Sequence, residues 1–242
     1  MLSFKTFPQA SEQFDEVEVL EGSPRLYCTP YGQFPSVTSI LSVLEDKDDT
    51  GLQDWIDRIG VKESTKIVED AIHRGNQLHE FNELYLLNQL NRSDLYGQAK
   101  ILFNRIKRYL DDVECVFATE VPVWSKTYQY AGRLDGLVLL HNHLTVLDHK
   151  NSRRPINLNL QLGRQKLFKY QLQTCAYARA VNEMKGYQPT KGCIIVGNHL
   201  TSNANKFFFD LKPLESELDI VIDAYYSDTP DKIIRKSLFF KL

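Results

Sequence analysis

The stretch GRLDGLVLLHNHLTVLDHKNS, residues Gly132 to Ser152, decides how this chain folds. Two apolar runs, Leu137 to Leu140 and Leu144 to Leu147, flank the triplet His141-Asn142-His143. Asn at the centre of a short polar break predicts a turn, so the runs pair as antiparallel strands. Asp135 lies seven residues before Asn142 and Asp148 six after it, which brings the two carboxylates together at the far end of the hairpin. Side chains alternate along a strand, so Val146, Asp148 and Lys150 share one face and His149 takes the other, its carbonyl staying near the same edge. An isolated D-x-K triplet reads as a surface salt bridge contributing ~0–1 kcal/mol. With Asp135 opposite and Gly132 and Gly136 beside it, the alternative is a divalent-cation site. Mg²⁺ takes carboxylate oxygens, water and substrate phosphate, and a lysine there can orient or deprotonate water or neutralise phosphate charge.

Outward from the hairpin the pattern stays readable. CVFATEVPVW (115–124) is β-branched and aromatic, and with 128–140 and 144–150 it predicts a three-strand antiparallel meander. A helix over about 163–184 follows, then strands CIIVG (193–197) and NKFFFDL (205–211), then an amphipathic helix over 214–228. Upstream, residues 16–31 form a small hairpin, and Ser36 or Thr38 caps a short helix with Val37, Ile40, Leu41 and Leu44 inward. An acidic loop, 45–51, leads to LQDWIDRIG. A long helix begins near Glu63, its apolar face running Ile67, Val68, Ala71, Ile72, Leu78, Phe81, Leu84 and Tyr85, with Gly75 a point of kinking. Another covers about 95–111. The order predicts an α/β fold, a mixed sheet flanked by helices, in a single domain. Residues 34–111 form a mainly helical part, 112–211 the sheet core, and 212–242 a C-terminal helix and tail.

The chain has 242 residues, 43% hydrophobic and 25% charged, with a formal net charge of −2, so global charge gives no support to a nucleic-acid-coating protein. Locally, Asn151 to Lys191 carries eight basic residues against one acid, Glu183. No run approaches the roughly 20 apolar residues of a membrane span. No secretory or transit pattern is visible, which predicts a cytoplasmic protein of a bacterium or phage-infected cell, mitochondrial only if a transit peptide has been removed. Cys28, Cys115, Cys175 and Cys193 form no C-x-x-C pair and read as buried thiols. No Walker lysine motif is present.

Two further motifs stand on helices: Gly75 with His79 (G-x-x-x-H), and Gln173 with Tyr177 (Q-x-x-x-Y), the latter sharing one helix face. With Glu120, Gly132-Arg133-Leu134-Asp135 and Asp148-His149-Lys150 between them, the set resembles the RecB-like branch of the PD-(D/E)xK nuclease superfamily. FPSVTSIL and LQDWIDRIG look closer still to the mitochondrial genome maintenance exonuclease group with its phage and bacterial relatives. The resemblance covers about 34–180.

It implies a restriction-endonuclease-like core and a Mg²⁺- or Mn²⁺-dependent deoxyribonuclease acting on single-stranded DNA ends in replication, recombination or repair. Asp135 and Asp148 would be catalytic metal ligands, joined by the His149 carbonyl and His79, with Glu120, an acid before the meander, reaching a second metal through water. Lys150 would position or activate water. Gln173 and Tyr177 would contact DNA or organise the site, and Arg133 and Lys126 would meet phosphates. Arg153 and Arg154 in the basic stretch would hold the DNA backbone, and Tyr170 or Phe168 would stack on bases. Some relatives hold an iron–sulfur cluster, but the cysteine spacing here predicts none. A monomer with DNA as partner and no membrane is expected, with replication or recombination proteins as further partners. A structure-specific or restriction-type endonuclease and a non-catalytic nucleic-acid-binding module are the competing readings.

Overall fold

The hairpin closes in two residues. His141 and Asn142 both take left-handed backbone, φ 51° and 60°, the geometry that matches the twist of paired strands. A computed structural model describes residues 3–6, 14–45, 51–235 and 237–242. In chain order the elements are β1 (Lys5–Thr6), β2 (Val19–Leu20), β3 (Leu26–Thr29), β4 (Gly32–Pro35), α1 (Val37–Ile40), α2 (Gly51–Ile59), α3 (Val61–Leu86), α4 (Gly97–Leu110), β5 (Val113–Ser125), β6 (Tyr130–Leu140), β7 (His143–Ser152), α5 (Gln161–Lys185), β8 (Lys191–Asn198), β9 (Asn205–Asp210), α6 (Glu215–Tyr225) and α7 (Pro230–Ile234).

The main sheet has six strands in the order β1-β5-β6-β7-β8-β9. The meander β5-β6-β7 is antiparallel, β7 and β8 are parallel across the α5 crossover, and β9 returns antiparallel. The sheet is therefore mixed and flanked by helices on both faces, as the element order predicts. Alternation sorts its side chains into two cores. Leu137 and Val146 pack with α1, α5 and α6, while Val138, Leu147, Cys193 and Ile195 pack with the second half of α3 and with α4. A one-residue slip of β7 would send Leu147 and Val146 into each other's layers and turn Asp148 and Lys150 to the opposite face of the sheet.

Several details differ from the sequence reading. The small hairpin gains a third strand, β4, and a parallel edge strand, β1, pairs with β5. Ser36, not Thr38, caps α1, its side chain accepting from the Ser39 amide. α3 starts at Val61 and runs unbroken through Gly75. Its early apolar residues are not core: Ile72 is 58% exposed, and before Gln77 the one buried residue of this helix is Ser64. The periodicity there is real, but that half of the helix runs alongside α2 instead of covering the sheet. Glu120 lies inside β5, the first strand of the meander, not before it. Residues 46–50 of the acidic loop fall outside the described residues. Among the described residues no helix is long and apolar enough to cross a membrane.

Candidate active site

The carboxylates meet where the ladder opens. The last ladder pair of β6 and β7 is Gly136 with Leu147, and continuing that register sets Asp135 opposite Asp148. There the Asp135 side chain enters the ladder: the His149 amide donates to its Oδ2 at 2.6 Å. On the other flank, Thr119 pairs with Gly136 and Val121 with Leu134, so Glu120 faces Asp135 as well. Glu120 takes φ 48°, left-handed backbone that a non-glycine residue adopts at a cost. Its carbonyl leaves the ladder and accepts from the Arg133 guanidinium, which also pairs with Glu16 at 2.8 Å. The side chain is thereby aimed at α3, where Glu120 Oε1 lies 3.0 Å from His79 Nδ1.

His79 Nδ1 is also 3.6 Å from Asp135 Oδ2. One donor atom from each of His79, Glu120 and Asp135 falls within 4.8 Å of the others, a spacing that can hold a metal ion. Asp148 completes the edge. It is fully buried, its Oδ1 accepts from Lys150 Nζ at 2.8 Å, and its Oδ2 is buried with no hydrogen-bond partner among the described residues. An unpaired buried carboxylate oxygen is costly unless something compensates it. Both ring nitrogens of His149 are likewise buried and make no hydrogen bond among the described residues, though Nδ1 lies 3.9 Å from Asp135 Oδ2; the ring is 6.3 Å from that of His79 on the α3 side, opposite the Lys150 face as alternation requires.

The electrostatics follow from burial among like charges. Burial, then the neighbouring Asp135, pushes the Asp148 carboxyl up to about 6, against the pull of Lys150, and burial likewise raises Asp135. Asp135 and Glu120 hold the His79 imidazole up at about 9 against burial. Burial, with the charges of His79 and Lys150, drives His149 down to about 3, so its ring is neutral. For Lys150 burial works downward, but Asp148 and Asp135 outweigh it and the ammonium is raised. Such a set is short of positive charge at its centre, and its oxygen-rich donors with one imidazole fit a divalent cation.

No family model matches the chain. A human protein named mitochondrial genome maintenance exonuclease 1 is 30% identical over 188 residues, covering 73% of this chain and 52% of that protein. The chain thus spans about half the length of the curated relative it matches.

The other residues singled out from sequence separate into two groups. Gln173 and Tyr177 stand behind the carboxylates, both buried, Gln173 Nε2 donating to the Tyr177 hydroxyl at 2.8 Å. They also explain the glycine of G-R-L-D: a Cβ on Gly132 would lie 2.5 Å from the Tyr177 ring. The Tyr170 ring lies 5.3 Å from Lys150 Nζ. Phe168 is core, packed near Phe239. Arg153 and Arg154 are exposed just past β7. Lys126 is not brought to the edge. It sits in the β5–β6 turn over the Tyr31 ring, about 17 Å of strand from Asp135 at the usual rise per residue. Sequence reading passed over Glu83, one turn beyond His79 and half-buried, whose carboxyl is raised by burial and then by Glu120. Its signal was the four-residue spacing from His79. Lys166, one of the eight basic residues of 151–191, is lowered by burial, and its Nζ reaches the Ser152 hydroxyl at 3.2 Å.

Proposed function

We propose that the protein is a divalent-metal-dependent deoxyribonuclease of the RecB-like PD-(D/E)xK type, degrading single-stranded DNA from its ends. The observation that carries this reading is the buried, unpartnered Asp148 Oδ2 beside the converging His79, Glu120 and Asp135. The similarity to the human exonuclease supports the exonuclease part. Asp135, Asp148 and His79, with Glu120 and the His149 carbonyl, would hold Mg²⁺ or Mn²⁺. When bound, such an ion supplies an activated water and neutralises charge at phosphorus.

The chain's own groups do the rest. Asp148 fixes the Lys150 ammonium at the strand end, where it donates to a phosphate oxygen and orients the attacking water. Arg133 is a positioning residue: it holds the carbonyl of Glu120 and so the direction of that carboxylate. Tyr177 and Gln173 wedge β6 against α5 and keep Asp135 in register. Arg153, Arg154 and Lys166 meet the DNA backbone, with Tyr170 beside the reacting phosphate.

The test pairs cleavage with ion binding. End-labelled linear and circular single strands are incubated with Mn²⁺, with Mg²⁺ and with a chelator. Linear strands are expected to be shortened, circles spared and the chelator to stop the reaction. Asp148→Ala should lower the rate by at least about a hundredfold while DNA is still bound. Mn²⁺ should raise the melting temperature of the wild type and not of Asp148→Ala. Undiminished cleavage by Asp148→Ala would sink the reading, and a cut circle would replace the exonuclease with an endonuclease.

A further inference from the structure

A cleft of about 360 Å³ lies between the middle of α3 and the start of α4, lined by Arg74, Gln77, Tyr96, Gly97 and Gln98. α4 opens into it without a side-chain cap at Tyr96. The first backbone bond at this end runs from the Lys100 amide to the Tyr96 carbonyl, and the amides of Gly97, Gln98 and Ala99 have no partner among the described residues. A free helix start of this kind carries partial positive charge and suits an oxyanion. The side chain of Gln77 is an independent sign of a ligand. It is 7% exposed, lines the cleft, and makes no hydrogen bond among the described residues.

Arg74 is already held in place. Its Nε lies 3.4 Å from Asn151 Oδ1 and its Nη1 3.3 Å from Gln98 Oε1, and no carboxylate pairs with it among the described residues. Asn151 in turn donates to the Ala71 carbonyl at 3.1 Å. Because Asn151 directly follows Lys150 on β7, this tie sets the cleft beside the D-x-K edge. Burial, then Arg74 and Arg105, holds the nearby His199 imidazole low, so two guanidinium charges reach this corner. Asp70, four residues before Arg74, also lines the cleft, as does His73. With that counter-charge present, an occupant is selected by hydrogen-bond geometry and not by bulk positive charge. At the rim Tyr96 is 56% exposed and offers a ring to a base.

We propose that this cleft is a phosphate subsite, taking a phosphate group of the nucleic-acid strand next to the one held at Lys150. It rests on the nuclease reading of that edge. The donors fit a phosphate: three backbone amides, the Gln77 amide and a planar guanidinium that can bind two oxygens at once.

Binding of a labelled short single strand is measured by fluorescence anisotropy in chelator, where nothing is cut, over a range of salt. Arg74→Ala is expected to weaken binding about tenfold. It should also flatten the slope of log affinity against log salt by about 0.7, the share of one phosphate on a single strand. Gln98→Glu separates binding from folding: an acid in the first turn suits the helix, so melting holds or rises while binding falls. Strands with a 5′-phosphate, a 3′-phosphate or neither tell a terminal monoester, if the Arg74 effect needs the end group, from an internal diester, if it does not. Unchanged affinity in both variants, or a loss in Arg74→Ala without a change of salt slope, overturns the subsite. A wild type that binds through Arg74 yet cuts nothing in Mg²⁺ or Mn²⁺ removes the nuclease reading and leaves the subsite standing.

Discussion

At the scale of single residues, the backbone of Glu120 is the feature that most shapes the candidate site. A strand residue in register with Asp135 would ordinarily donate and accept in the ladder, and its side chain would follow the pleat. At φ 48° its carbonyl turns to the Arg133 guanidinium, and its carboxylate reaches His79. Left-handed backbone costs an L-residue roughly 1–2 kcal/mol, less for Asn, and most for a β-branched side chain. Two variants without the carboxylate isolate that term. Glu120→Asn should unfold in urea close to the wild-type midpoint, whereas Glu120→Val should be less stable than Glu120→Asn by about 1–2 kcal/mol. Equal midpoints would mean the backbone relaxes when the side chain changes. Both variants should lose ion affinity. This conformation was not legible in the sequence, because nothing about a Glu among Thr119 and Val121 signals positive φ. The Gly132 of G-R-L-D was legible as a motif letter, but its cause, the Tyr177 ring 45 positions along the chain, was not.

At the scale of elements, periodicity carried the reading wherever an element buries one face. β5 to β9, α4, α5 and α6 fall within a few residues of their predicted bounds, and the hairpin turn sits at the Asn predicted to centre it. The first half of α3 shows where that logic stops. Ile67, Val68 and Ile72 keep the spacing of a buried stripe and are exposed, since a pattern states that a face is apolar but not what covers it. The edge strand β1 was illegible for the opposite reason: at two residues it is too short to show alternation, and it exists through its pairing with β5. The turn itself yields a prediction. His141-Asn142-His143 has the letters of a nuclease motif, yet its role is conformational, with two left-handed residues at the far end of the hairpin from the carboxylates. Asn142→Gly, which adopts φ 60° freely, should keep cleavage at the wild-type rate and hold or slightly raise the melting temperature. A loss of activity with the fold intact would give the triplet a chemical part.

At the scale of the whole molecule, one sheet is shared by two helical layers, and the site lies at the edge where both end. Asp148 and Lys150 face α5, His149 and His79 face each other from β7 and α3, and Asp135 sits between them. Separating either layer would disassemble the site, so the candidate function requires the layers to open together. The free thiols can measure this. Cys175 lies in the α5 layer and Cys193 in the α4 layer, and burial pushes each up to about 12. Both are therefore protonated and shielded in the folded protein at mildly alkaline pH, and they become reactive only when exposed, as pKa values near ~8.5 are restored in the unfolded chain. Cys28, half-buried, should label first. Cys175 and Cys193 should then label slowly, at least about a thousandfold below the unfolded rate, if stability is in the usual range of domains. Their two rates should coincide and accelerate together in urea, because β7 sends Val146 into one core and Leu147 into the other and neither layer can leave without exposing the strand between them. Faster labelling of Cys193 alone would show that α3 and α4 open as a separate unit, and the edge holding His79 would then be assembled only part of the time.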